Sequence, residues 1–262
     1  MFLKLYFMSD PNSYWVGTKE TCDNARIAEL FTIPQHEQRS PEWFEQRRHM
    51  LTSSNAGAAL GLEKYRSRYQ ILKQYCEPPK PFTSSAATRH GVYWEDPAIE
   101  YYCAAMNYRN YNFGLLPFMW KERDDVILDK NGNKIDLSFL GGSVDGMVQD
   151  LTNPQGEPIM IEVKCPFKRE IKFGKVPEHY FPQVQLNMFI TNTYVADFIE
   201  YEPSGLGRSK HKIMNIVRCY RDNHWLNENV PKLREFWDEV IHYRKIGIQH
   251  HPKFRIPKNK NI

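Results

Sequence analysis

What this 262-residue chain lacks removes several classes of function. No apolar run approaches the roughly 20 residues that a bilayer-spanning helix needs. The apolar start from Met1 to Met8 is too short for the core of a signal peptide, and no small-residue cleavage site follows. Met8 stands beside Met1 as a candidate start. The five cysteines (Cys22, Cys76, Cys103, Cys165 and Cys219) are scattered, odd in number and form no C-x-x-C pair. A disulfide framework or zinc site is therefore not expected, and an intracellular, reducing compartment fits better. None of the nine histidines has ligand spacing with a cysteine or another histidine on one helix face. Excess charge is small, at +4, and internal repeats and low-complexity tracts are absent.

What remains is a globular chain with 41% hydrophobic and 14% aromatic residues. Its length suits one domain with a substantial core. Charge is uneven. From His242 to Ile262 there are Arg244, Lys245, Lys253, Arg255, Lys258 and Lys260, with no acid. Such an end is either a solubilising tail or a contact for a phosphate backbone. The chain divides into an N-terminal extension over 1–39, a main domain over 40–246 and a basic tail over 247–262.

Ser40, Pro41 and Glu42 predict a helix start: a capping serine, proline in the first turn, then an acid. That helix ends near His49. Ser53 or Ser54 can cap a second helix stopped by Gly61. Further helices are predicted over 21–31, 68–75, 90–106 with a break or restart at Pro97, 179–192, and from Asp222 to about Lys245. Strands are predicted over 114–120, 125–128, 139–149, 159–164, 196–201 and 212–219. Strands in the middle with helices on both sides predict an α/β core built on a central mixed β-sheet.

Two strand segments carry the chemistry. One contains Gly142-Ser143-Val144-Asp145-Gly146, the other Ile159-Met160-Ile161-Glu162-Val163-Lys164. Side chains alternate across a strand, so Ile159, Ile161 and Val163 face one way and Met160, Glu162 and Lys164 the other. Glu162 and Lys164 thus sit side by side, where Asp145 on a neighbouring strand can meet them. Two carboxylates and a lysine suit a divalent-metal hydrolase. Hard oxygens hold Mg²⁺, and the ammonium orients or polarises the attacking water. Taken singly the signals are weak, because Asp-Gly is a common turn and Glu-x-Lys is common on solvated strands. The apolar run from Ile159 to Val163 strengthens them, since a buried strand carries two charges at its end only if they are used or paired. Pro166 stops the strand.

Ile161 to Phe167 resembles the second catalytic motif of phage lambda exonuclease and its YqaJ-type viral recombinase relatives, within the PD-(D/E)XK nuclease superfamily. Ser143-Val144-Asp145-Gly146 resembles the preceding aspartate motif, with Val144 where that superfamily has proline. Pro182 to Met188 resembles the following glutamine-bearing helix. Trp43 to Arg48 with Leu51 to Ser54 resembles the N-terminal phosphate-binding segment. Gly91 to Glu95 resembles the Gly-x-x-x-Glu helix. Five motifs occur in order over roughly residues 41–201; residues 1–39 and the end of the chain are not covered.

The resemblance implies a PD-(D/E)XK nuclease core. It implies Mg²⁺, with Mn²⁺ as a substitute, held by Asp145, Glu162 and the carbonyl of Val163, with Glu95 near the metal or its water. Lys164 is the expected water-positioning group. Gln183 is expected to bond a phosphate oxygen or metal-bound water; Tyr180, three residues earlier, shares its face if both are helical. Arg47, Thr52 and Ser54 match a pocket for a terminal 5′ phosphate. The expected activity is 5′-to-3′ exonucleolytic hydrolysis of double-stranded DNA ends in viral or phage-type recombination and repair. An endonuclease or RNA-degrading relative, and a catalytically silent DNA-binding protein, are the alternatives. A single-strand annealing protein is the implied partner, and a homo-oligomer of the trimeric kind the implied assembly, although no interface signature stands in the sequence. If the source is viral, the compartment is host cytoplasm or nucleus.

Overall fold

A computed structural model describes residues 15–79, 83–119, 126–204 and 211–255. The chain opens with strand β1 (Val16–Gly17), then helices α1 (Ala25–Leu30) and α2 (Pro41–Arg48), strand β2 (Leu51–Thr52), and helices α3 (Ser53–Ala59), α4 (Arg68–Cys76) and α5 (Ala86–Met106). Strands β3 (Tyr108–Tyr111), β4 (Leu116–Pro117), β5 (Leu140–Gly142), β6 (Gly146–Asp150) and β7 (Ile159–Lys164) follow. Helix α6 (Phe181–Thr191), strands β8 (Val195–Glu202) and β9 (Ile213–Tyr220), and helix α7 (Asn223–Ile246) complete the order.

Six strands form the central sheet in the order β1-β3-β6-β7-β8-β9. It is mixed: β1/β3 and β7/β8 are parallel, the other pairs antiparallel. The parallel β7/β8 pair requires a crossover, which α6 supplies. A small three-stranded sheet, β2-β5-β4, lies apart. The alternation predicted for β7 holds. Ile159, Ile161 and Val163 pack with Ala98, Ile99 and Tyr102 of α5, while Met160 joins the larger core with α3, α4, α6 and α7. The sheet is therefore covered by helices on both faces, and Glu162 falls on the α6 side.

Local signals placed most boundaries. The Ser40 hydroxyl accepts the Trp43 N–H at 3.1 Å, and Asp222 accepts the Trp225 N–H at 2.9 Å. Five expectations need correction. Pro97 does not break α5, which starts at Ala86 under a Ser85 cap and runs unbroken to Met106. The carbonyl that loses its donor there belongs to Tyr93, a residue 70% exposed and open to solvent. Neither Ser53 nor Ser54 caps α3; Thr52 holds the cap position without a side-chain cap bond. The strand expected over 139–149 divides into β5 and β6, which belong to different sheets and leave Asp145 at the join. The strand expected over 114–120 shrinks to Leu116–Pro117, and of 125–128 only an isolated bridge from Leu128 to Lys134 lies among the described residues.

The ends are also more integrated than their composition suggests. Val16–Gly17 pairs with β3, and Ile27 and Leu30 are fully buried in the main core. At the other end Ile248 is buried, and the His251 ring lies 4.6 Å from that of Tyr69. Residues 1–14 of the N-terminal extension, and the basic residues Lys258 and Lys260, lie outside the described residues.

Candidate active site

The β6–β7 pairing brings the two carboxylate segments together. Gly146 opposes Ile161, so Asp145, one residue before β6, reaches the end of β7. Its Oδ2 accepts the Val163 N–H at 2.7 Å. Glu162 is fully buried. Its Oε1 accepts a close, charge-assisted hydrogen bond from Lys164 Nζ, and its Oε2 accepts one from Asn187 Nδ2 of α6 at 3.0 Å. Lys164 Nζ also stands 4.0 Å from Asp145 Oδ2 and 5.4 Å from the centre of the Tyr180 ring. Glu95, on α5, approaches Arg39 at 3.9 Å and lies close enough to sense the charges of Asp145 and Lys164.

The electrostatics follow from burial and crowding. Burial first, then the Asp145 charge, pushes the Glu162 carboxyl up to about 8. Burial and Asp145 push Glu95 up to about 7. Burial raises Asp145, against the opposing pull of Lys164 and the Val163 N–H. For Lys164, burial favours the neutral amine, but Glu162 and Asp145 outweigh it and hold the ammonium well above its ordinary range. Three carboxyl groups thus share too little positive charge, an arrangement that favours protons or an added cation.

That donor chemistry fits Mg²⁺, which takes hard oxygens and accepts one or two carboxylates with water and substrate phosphate. It is a sparse set. Among the described residues no three His, Cys, Asp or Glu side chains form a cage for a metal ion.

A second cluster adjoins the first. Arg47 of α2 donates to the Ser54 hydroxyl at 3.0 Å, the Thr52 hydroxyl at 3.4 Å and the Ser143 hydroxyl at 3.5 Å. Its guanidinium lies 4.3 Å from the centre of the Trp43 ring. Burial lowers its pKa, yet a guanidinium remains a cation. Ser143 is two residues before Asp145, so the guanidinium sits beside the carboxylate segment. Thus Asp145, Glu162, Lys164 and Glu95 are brought together, and Arg47, Thr52 and Ser54 form a neighbouring group.

Gln183 and Tyr180 are placed less directly. Tyr180 precedes α6 and lies under Lys164, whereas Gln183 sits in the first turn of α6 and bonds to no group of the cluster. Gln185 is structural, bonded to the Tyr220 carbonyl and the Asp222 N–H. Asn187, Ser143 and Arg39 were not singled out from sequence. The available signal for Asn187 was its spacing: four residues after Gln183, it repeats on the same helix face one turn on.

A mixed sheet with paired carboxylates and a lysine at one strand end, roofed by the next helix, defines a PD-(D/E)XK-type core. The chain belongs to the YqaJ-like viral recombinase domain family, whose pattern matches residues 42–194, more than half its length. Protein R354 of Acanthamoeba polyphaga mimivirus is 28% identical over 187 residues, 68% of this chain and 31% of its own. Protein D345L of African swine fever virus (strain Badajoz 1971 Vero-adapted) is 25% identical over 182 residues, 59% of this chain and 46% of its own. The chain thus spans less than half the length of either relative. The fold is that of LHK-Exo, an alkaline exonuclease from Laribacter hongkongensis. The TM-score is 0.59, or 0.61 against its complex with dAMP, each at 22% identity over 79% of this chain and 95% of that one. Among the described residues no helix is long and apolar enough to cross a membrane.

Proposed function

We propose that this chain is a metal-dependent deoxyribonuclease acting 5′ to 3′ on double-stranded DNA ends during viral recombination. The observation that carries the reading is the meeting of Asp145, Glu162 and Lys164 at one strand end, beside a buried arginine held by hydroxyls. Mg²⁺, held by Asp145, Glu162 and the Val163 carbonyl with Glu95 nearby, would supply charge to offset the phosphate and acidify a water. The protein's own groups do the rest. Lys164, fixed by Glu162 and kept protonated, can donate to the attacking water or to a phosphate oxygen. Asn187 and Lys164 occupy the two oxygens of Glu162 and set its plane. Arg47 offers forked donors to a terminal phosphate, and the Thr52 and Ser54 hydroxyls add neutral donors. Gln183, in the first turn of α6, would contact substrate rather than the carboxylates. Family membership and the exonuclease fold support the same reading, and they are why a single-strand annealing protein and a homotrimer are proposed as partner and assembly.

The test is initial rate on 5′-phosphorylated and 5′-hydroxyl duplex in Mg²⁺. The phosphorylated end should be degraded faster. Loss of one charge-assisted contact costs roughly 1.5 to 3 kcal/mol, about ten- to a hundredfold in rate. Arg47→Ala should remove most of the preference and Arg48→Ala much less, since Arg48 turns to Glu45 and the Glu77 carbonyl. Equal rates on both ends would reject the phosphate pocket and favour an endonuclease. Cleavage of RNA in preference to DNA would move the substrate class.

A further inference from the structure

Arg39 is held where its backbone resists. The Ser40 N–H donates to the Glu37 carbonyl at 3.2 Å, closing a tight turn with Arg39 in third place. There Arg39 takes φ +71°, in the left-handed region that glycine or asparagine enters more easily. The turn is also pinned. Gln38 Nε2 donates to the Phe113 carbonyl at 2.9 Å and to the Val144 carbonyl at 3.4 Å. Val144 precedes Asp145, so the backbone of Arg39 is fixed beside the carboxylate segment. A long cation is thus set next to the candidate active site in a strained conformation.

The contact that the side chain makes does not offset that strain. Its guanidinium lies 3.9 Å from Glu95, beyond hydrogen-bond reach, and the side chain is 54% exposed. Exposed pairs of this kind add little to stability, whereas strain of this kind clusters at functional sites. The other two cations of the region are differently engaged. Lys164 is committed to Glu162 and Asp145, and Arg47 to the hydroxyls of Ser143, Thr52 and Ser54. Of the three, Arg39 is the one whose donors have no hydrogen-bonded partner among the described residues. It also stands near more than one carboxylate. Burial raises Asp145 and Glu95, and Arg39, after Lys164, is a cation that pulls both back. Arg39 and Arg47 bracket α2, roughly 12 Å long, so they would grip different phosphates.

The geometry points to Arg39 as a further catalytic residue, one that turns from Glu95 to the scissile phosphate and donates to a non-bridging oxygen as charge builds there. This deepens the nuclease reading above and rests on it. A guanidinium presents forked donors that match phosphate oxygens. Donors that strengthen only in the transition state speed the chemical step more than they tighten substrate binding. The weak contact with Glu95 is one that a phosphate readily displaces. Arg39 moves no proton, because a guanidinium keeps all of its own.

The experiment measures single-turnover cleavage of a 5′-phosphorylated duplex in Mg²⁺, together with Tm, for the parent chain, Arg39→Gly and Arg39→Lys. Glycine removes the guanidinium and suits the left-handed turn. Arg39→Gly should therefore melt at the parent Tm or above it while cleaving about ten- to a hundredfold more slowly. Arg39→Lys keeps the charge without the fork and should recover part of the loss. A single phosphorothioate at the scissile linkage, taken as each diastereomer, reports the contact itself. The diastereomer with sulfur in place of the oxygen that Arg39 grips should slow the parent but not slow Arg39→Gly further. An unchanged rate in Arg39→Gly, a Tm that falls along with its rate, or identical sulfur effects in the two proteins would overturn the inference and leave the nuclease reading standing. Absence of cleavage by the parent would overturn both.

Discussion

Glu162 ties the carboxylate cluster to the helix above it, because its two oxygens accept from Lys164 at the end of β7 and from Asn187 of α6. Glu162→Gln keeps the shape and removes the charge. Lys164 still has Asp145 at 4.0 Å, so the protein should fold and bind DNA while cleavage in Mg²⁺ is lost. Lys164→Ala and Asp145→Asn should behave alike. Full activity in any of the three purified proteins would end the assignment. Crystals soaked in Mn²⁺ should show anomalous signal between Asp145 and Glu162. Asn187 provides a subtler case. Removing a group that only orients a metal-binding carboxylate commonly costs about 10–100-fold, so Asn187→Ala should lower kcat by that order with little change in KM. A Cβ on Gly142 would come 2.5 Å from Asn187 Oδ1, so Gly142→Ala should displace the same amide and reproduce the defect. Unaltered steady-state kinetics in both would leave Asn187 a packing residue.

At the scale of elements, the N-terminal stretch matters more than its weak helical signal suggests. Helix α1 is six residues long, yet it inserts Ile27 and Leu30 into the main core. Its cap Asn24 also donates to the Pro154 and Gly156 carbonyls at 3.0 and 2.9 Å, tying it to the β6–β7 turn. Ile27→Ala should therefore destabilise by about 2–5 kcal/mol, measured by urea unfolding. A midpoint within error of the parent would mean that α1 is dispensable and that the extension is separate after all. The sequence hid this because a short helix carries too few turns to display a periodic face, and its stability comes from tertiary contact. The split of 139–149 was hidden for a similar reason. Most of its residues are apolar or small, and the one local mark, the turn-prone Asp145-Gly146 pair, does not by itself show that the chain leaves one sheet for another there. Strand β7 was legible because its apolar run, its charged end and Pro166 all agree.

For the whole molecule, the raised carboxyl groups should make stability depend on pH and, under the proposed function, on metal. Glu162 and Glu95 are raised in the folded state, to about 8 and about 7, above their ordinary value near 4.5. A raised carboxyl binds more protons folded than unfolded, so its stabilising contribution is full below about pH 4.5 and is lost as pH rises through 7 to 8. The metal-free protein should lose on the order of 2 kcal/mol between pH 5 and pH 8.5 from this source. That corresponds to a Tm lower by several degrees at about 2–4 °C per kcal/mol for a chain of this size. Mg²⁺ or Mn²⁺ at pH 8 should restore it, and Glu162→Gln should flatten both responses. A Tm independent of pH and of added metal across that window would contradict the shared-charge picture. The basic end supplies a different long-range property. Removing residues 256–262, beyond the packed Ile248 and His251, should flatten the salt dependence of duplex binding if Lys258 and Lys260 neutralise phosphates. An unchanged salt slope would leave them as a solubilising end.

By itself the sequence determined the alternation of β7, the helix caps at Ser40 and Asp222, and which residue types, two carboxylates and a lysine, stand at the ends of neighbouring strand segments. These are properties of neighbours along the chain, where spacing and side-chain chemistry act without knowledge of distant partners. Tertiary structure decided which groups meet. Asp145 reaches Val163 only because β6 pairs antiparallel with β7. Asn187 reaches Glu162 only because α6 crosses over to make β8 parallel to β7. Arg47 stands beside the carboxylate segment only because α2 and β2 fold back against Ser143. Each of these contacts joins residues far apart in sequence through sheet register, and register is fixed by the burial of whole strands rather than by any short motif.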